Sequence, residues 1–182
     1  MRRLLFYLLL LVVLATACQG DTDGTRLFTI TYPVTEPIIL AGASTFTTFV
    51  VPQEDLATGF QQALADNGVT AEDVDLVGGF RCRLTSLTGD DFRDIERVEL
   101  RVCEQGRQFG CNEILHIAFS QADLFNRRQQ VINLSPSLRN FRELFLGSER
   151  FRAELVIFPG TTVSRTLETR LEWSLQAVGD LE

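Results

Sequence analysis

The stretch Ile95-Glu96-Arg97-Val98-Glu99-Leu100-Arg101-Val102-Cys103 decides how the chain is read. Val98, Leu100 and Val102 fall on one side of an extended chain, and Arg97, Glu99 and Arg101 on the other. Successive side chains of a strand point to opposite faces, so this alternation describes a strand with one face buried and one in water. The same period recurs on both sides of it. Upstream, residues 26–32 alternate until Pro33, and 38–40 and 45–51 are short apolar or Thr-rich runs. Residues 76–87 form a longer strand in which Gly78-Gly79 marks a bulge or bend and Phe80, Cys82 and Leu84 point inward. Downstream, residues 114–119 and 130–134 continue the pattern. Residues 151–158 turn Phe151, Ala153, Leu155 and Ile157 inward, and 165–178 place Leu167, Leu171, Trp173, Leu175 and Ala177 on one face.

Two segments break this rhythm. Residues 54–67 carry Leu56, Phe60, Ala63 and Leu64 at helical spacing before Gly68, and residues 136–146 carry Leu138, Phe141, Leu144 and Phe145 before Gly147. Both are expected as short helices at the ends of a sandwich. No repeat, low-complexity tract or Pro/Ser linker divides residues 26–182, which are read as one domain. About eight or nine half-apolar strands predict a mainly β fold, an antiparallel β-sandwich of jelly-roll or immunoglobulin-like type. The alternative is a closed barrel of lipocalin type, which would enclose a cavity. Arg and Glu in mid-strand on the outward faces argue against a barrel embedded in lipid.

The N-terminus has a different character. Met1-Arg2-Arg3 is positively charged, Leu4 to Leu14 is an unbroken apolar run, and Ala15-Thr16-Ala17-Cys18 follows with small residues. This is the layout of a secretory signal peptide, and the run is short of the roughly 20 apolar residues that span a bilayer. Gln19-Gly20-Asp21-Thr22-Asp23-Gly24 then turns polar. Leu14-Ala15-Thr16-Ala17-Cys18 resembles the lipobox of bacterial lipoproteins, with Ala15 where the pattern commonly has an aliphatic residue and Leu14 one place further out. The resemblance covers residues 1–18 only. It implies residues 1–17 as signal peptide, cleavage between Ala17 and Cys18, diacylation of Cys18 with palmitate-type chains, and residues 18–25 as a tether to the membrane. Two acyl chains hold a protein stably where one is marginal. Gln19, in place of an Asp, resembles sorting to an outer membrane, facing the periplasm or the cell surface. Ala15-Thr16-Ala17 also fits an ordinary A-x-A site, which gives the same cut but leaves Cys18 free.

Export sets the cysteine reading. Cys82, Cys103 and Cys111 would lie in an oxidising compartment, where one disulfide and one odd thiol is the simplest arrangement. Cys103 and Cys111 flank Glu104-Gln105-Gly106-Arg107-Gln108-Phe109-Gly110, and are expected to staple a hairpin at its neck. Cys82, on an inward face, is expected as a buried inert thiol. Direct opposition of Cys103 and Cys111 would set Val98, Leu100 and Val102 across from Asn112, Ile114 and His116, whereas the bulkier face is Leu115, Ile117 and Phe119. A β-bulge near Gly106 or Gly110 would reconcile pairing with faces.

Composition narrows function mostly by exclusion. The chain has a net charge of −7, and −9 without Arg2 and Arg3, which argues against nucleic acid as a partner. There is no lysine, so neither a lysine Schiff base nor a lysine general base is available. His116 is the only histidine, the cysteines lack C-x-x-C spacing, and no G-x-S-x-G elbow is present. His116 is read as an outward or rim residue. Acidic clusters at Glu72-Asp73-Asp75 and Asp90-Asp91-Asp94 lack the EF-hand ligand pattern and read as loop and capping residues. Trp173 and Tyr32 read as core. Arg127-Arg128 with Arg139 and Arg142 form a modest basic patch that reads as solvated surface. No catalytic residue, metal ligand or cofactor is assigned. The expectation is a non-enzymatic envelope lipoprotein, an interaction or structural module with an envelope protein as possible partner. The alternative is a carrier for a small or lipid-like ligand in an apolar cavity.

Overall fold

Period-two alternation becomes two antiparallel sheets packed face to face in a computed structural model of the chain, which describes residues 24–119 and 129–179. The export segment, the Ala17–Cys18 junction, the start of the tether and Arg127-Arg128 lie outside the described residues. The elements in order are β1 (Thr25–Thr31), β2 (Ile38–Ile39), β3 (Phe49–Ala57), α1 (Phe60–Asn67), β4 (Leu76–Ser86), β5 (Ile95–Glu104), β6 (Glu113–Phe119), β7 (Val131–Asn133), β8 (Ser135–Pro136), α2 (Arg142–Gly147), β9 (Arg150–Pro159) and β10 (Leu167–Gly179). The first sheet runs β1-β10-β4-β7, with β2 also on β10; the second runs β3-β9-β5-β6-β8. With the two-residue strands β2 and β8 set aside, successive strands cross between the sheets except at the β5–β6 hairpin, which stays in the second sheet. The first, eighth, third and sixth make one sheet, and the second, seventh, fourth and fifth the other. This is jelly-roll connectivity. The two sheets are separate, so the structure is a sandwich and not a closed barrel.

The faces match the alternation. Val98, Leu100 and Val102 of β5, Phe151, Ala153, Leu155 and Ile157 of β9, and Leu167, Leu171, Trp173, Leu175 and Ala177 of β10 are all buried between the sheets. Both helices are shorter than their spacing suggested. Residues 54–57 belong to β3, because pairing with β9 continues to Ala57↔Arg150, and α1 begins only after Gly59. Pro136 is claimed by β8 pairing with β6, leaving only Arg142–Gly147 for α2; Leu138 lies fully exposed. In each case ladder hydrogen bonds to a neighbouring strand outweigh a weak local helical preference.

Aromatic rings tie the layers together. Tyr32 stacks on Trp173 at 4.1 Å between centroids, and Phe151 meets both edge-on at 5.2 and 6.1 Å. Phe145 of α2 contacts Phe151 at 5.0 Å and Phe60 of α1 at 5.6 Å, and Phe60 contacts Phe28 of β1 at 5.4 Å. One continuous chain of rings thus runs through both sheets and both helices. Trp173→Ala is expected to cost about 3–5 kcal/mol of stability, the range for truncating a buried aromatic residue. Leu138→Ala, on an exposed side chain, is expected to stay within about 0.5 kcal/mol. Urea unfolding of the two variants beside wild type checks both.

Candidate functional site

Cys103 and Cys111 form the disulfide, with Cα atoms 5.1 Å apart. The register compensation does not come from Gly106 or Gly110. Val102 pairs with Glu113 and Arg101 with Ile114, but Leu100 pairs with His116, so the extra residue is Leu115 in mid-strand. This bulge reverses part of the expected facing. Leu115 and His116 are both buried, while Ile117 pairs with Glu99 and Phe119 with Arg97 on the outer side. Gly110 has a different task. A Cβ there would sit 3.0 Å from the Glu154 carboxylate, which accepts the Cys111 N–H at 2.8 Å and is ion-paired with Arg152. The root of the hairpin is therefore held both covalently and by a buried carboxylate. Cys82 is free and buried, and burial pushes its thiol well above the ordinary range, so it stays protonated and unreactive.

His116 is not on the rim; it is fully buried. The Leu115 bulge turns it into the sandwich, where its ring reaches across to β4 and lies against Gly79. A Cβ at Gly79 would fall 2.4 Å from Nε2. Neither ring nitrogen has a well-formed hydrogen bond among the described residues. Burial pushes His116 down to about 4, with the carbonyls of Leu134 and Ser174 pulling the other way. The imidazole is neutral in the fold, sealed from solvent and without a carboxylate to orient it. That arrangement does not assemble a triad.

The other sequence candidates are committed to structural partners. Asp94 accepts from the Ser164 N–H at 2.8 Å and its hydroxyl at 2.6 Å, Asp90 pairs with Arg165, and Asp91 with Arg93. Asp73 accepts the Thr70 N–H and hydroxyl, each at 2.7 Å, and these bonds hold its carboxyl below the usual range. Arg139 pairs with Glu113, and Arg142 donates to the carbonyls of Val74 and Ala71, so neither is a free cation. Tyr32 is buried and donates its hydroxyl to the Thr58 carbonyl at 2.9 Å; with Trp173 it offers no surface ring. On the outer side of the second sheet, Glu99 is covered by Arg97 at 3.1 Å and by Arg101, and Arg97 stacks 3.8 Å over Phe158. Glu99 faces outward as the alternation requires, yet its arginines leave it 2% exposed.

The surface feature that alternation did not reveal is a cleft of about 530 Å³ on the outer side of the first sheet. Its floor is two rows of paired residues across the strands, Thr31–Ser174–Arg81 and Glu172–Arg83–Asn133. Two bulges lie near it: Phe80 is among the residues lining the cleft, and Arg26 meets it through that ring. One in β1, at Leu27, turns Arg26 outward; the other, in β4 at Phe80, takes that ring out of the inward set. Phe80 is half-buried rather than core, and the guanidiniums of Arg26 and Arg81 each lie 5.1 Å from its centroid. The Gly78-Gly79 signal located this bulge to within a residue, but not which side chain it would re-aim.

No family model and no curated protein matches the chain. Among solved structures it is similar to a chain of Cocksfoot mottle virus, at 13% identity over 91% of this chain and 90% of that one, with a TM-score of 0.24. The fold assignment stands on the strand order alone.

Two measurements test the buried histidine. Unfolded, the ring titrates near 6.5. Between about pH 6.5 and 4 the unfolded chain therefore binds a proton that the folded chain refuses. Stability is intact above that window and falls by up to roughly 3 kcal/mol as pH drops through it. His116→Leu is expected to flatten this part of the profile, read as urea midpoints at pH 7 and pH 4.5; parallel profiles would sink the assignment. Gly79→Ala is expected to cost about 1–3 kcal/mol by overpacking, and much less in a His116→Ala background. A double-mutant cycle measures that coupling.

Proposed function

We propose that the protein is an exported lipoprotein, anchored through diacylated Cys18, whose β-sandwich serves as a non-enzymatic interaction module at the cell envelope. The observation that carries this reading is the Cys103–Cys111 disulfide at the root of the β5–β6 hairpin. Such a bond persists in an oxidising compartment, in keeping with the export layout of residues 1–18. Cys82 is buried inside the sandwich, so lipidation of Cys18 leaves the disulfide undisturbed. A non-enzymatic role is supported by the sealed His116 and by acidic residues already tied to arginines, hydroxyls and backbone N–H groups. The alternative carrier role draws no support from the core: Trp173, Phe60, Phe92, Phe145 and Phe151 fill it, and the 530 Å³ cleft lies on the outer face, lined by polar and apolar side chains alike.

Metabolic labelling with an alkyne palmitate analogue tests the anchor. Label is expected on the wild-type chain and not on Cys18→Ala, with the wild type sedimenting with membranes. Equal label in both, or in neither, overturns the reading.

A further inference from the structure

Most arginines among the described residues are committed to carboxylates, and Arg142 to backbone carbonyls. Arg26, Arg81 and the hairpin-tip Arg107 have no such partner among the described residues. In a chain of net charge −7, two uncommitted guanidiniums on one phenyl ring are not accounted for by the internal ion pairing. Arg81 is outward by plain alternation with Cys82 and Leu84, whereas Arg26 and the Phe80 ring are re-aimed by bulges, one in each strand flanking β10. Bulges re-aim side chains at the cost of ladder pairing, and they concentrate beside functional surfaces. Both guanidiniums lie within cation–π range of the Phe80 ring, which lines the cleft and so keeps them near it.

The cleft beside that ring has a distinct chemistry. The hydroxyls of Thr31 and Ser174 and the amide of Asn133 line it with no hydrogen-bond partner among the described residues. These groups both donate and accept, as sugar hydroxyls do. Arg83 and Glu172, bonded to each other at 2.6 Å, add a further donor and acceptor at the wall. Aliphatic side chains, which would suit a lipid or an apolar peptide, are scarce among the lining residues. A volume of about 530 Å³ is in the range of small-molecule sites.

We propose that this cleft binds a carboxylate-bearing saccharide. Arg26 and Arg81 take the carboxylate through charge-assisted hydrogen bonds, and Thr31, Ser174 and Asn133 take the ring hydroxyls. The proposal goes beyond the lipoprotein reading and does not depend on it, because none of these residues involves the anchor.

The test uses the full-length chain in detergent, titrated calorimetrically with trigalacturonate, with neutral cellotriose and with inorganic phosphate. Trigalacturonate is expected to bind, more weakly as salt is raised. Arg81→Gln and Arg26→Gln are each expected to weaken it at least tenfold at an unchanged unfolding midpoint. Arg139→Gln, outside the cleft, is expected to bind as wild type does, and so is Cys18→Ala, which separates this proposal from the fate of the anchor. Asn133→Ala keeps both cations and is expected to weaken trigalacturonate while leaving phosphate unaffected. Cellotriose binding as tightly as trigalacturonate, phosphate binding as tightly, indifference to the Arg26 and Arg81 variants, or no binding of trigalacturonate would each overturn it.

Discussion

Burial of the aromatic chain from Phe28 to Tyr32 through Phe60, Phe145, Phe151 and Trp173 is the constraint on which the rest of the molecule depends. Its rings come from both sheets and both helices, so neither sheet can hide its apolar face without the other. Aromatic side chains bury more area than aliphatic ones and prefer offset or edge-to-face contacts, which gives the chain geometry as well as free energy. Tyr32 supplies a polar end, and the carbonyl of Thr58 accepts its hydroxyl just where β3 gives way to α1. The helices close the sandwich end because Phe60 and Phe145 have no other place out of water.

Once that core is closed, the polar groups must be accommodated at its margins, and they are handled in two ways. On the second sheet, carboxylates and arginines alternate along β5 and β9 and cover one another. Glu99 and Glu154 are nearly buried on a nominally outward face. Partly desolvated ion pairs need additional hydrogen bonds to offset desolvation, and Glu154 has one from the Cys111 N–H. On the first sheet the corresponding arginines, Arg26 and Arg81, rest on a ring instead of on carboxylates. One outer face is electrostatically closed, while the other leaves cations and hydroxyls open.

The strands were legible because a half-buried strand must alternate, and β5, β9 and β10 do so with little interruption. The inward sets on these strands are as the alternation predicted. The bulges at Leu27 and Leu115 were not legible as positions, and Gly78-Gly79 marked the one at Phe80 only to within a residue, because a bulge is a choice between neighbouring registers of nearly equal local cost. Leu115 shows the consequence. One extra residue carried His116 from the rim into the core and left Ile117 and Phe119 on the outer side. The helix ends failed for a related reason: residues 54–57 have helical spacing in one dimension but find ladder partners in β9 in three.

By itself, then, the sequence determined the class of fold, the inward faces of the long strands, and the expectations of a Cys103–Cys111 pairing and of an export segment ending at Ala17. Hydrophobic period, turn residues and cysteine spacing are local properties, and burial acts on them in any compact arrangement. Only the tertiary structure decided the jelly-roll order, the sealing of His116 against Gly79, and the gathering of Arg26, Phe80 and Arg81 beside one cleft. Each of these depends on register across strands distant in sequence, and a single inserted residue reverses which face a side chain occupies.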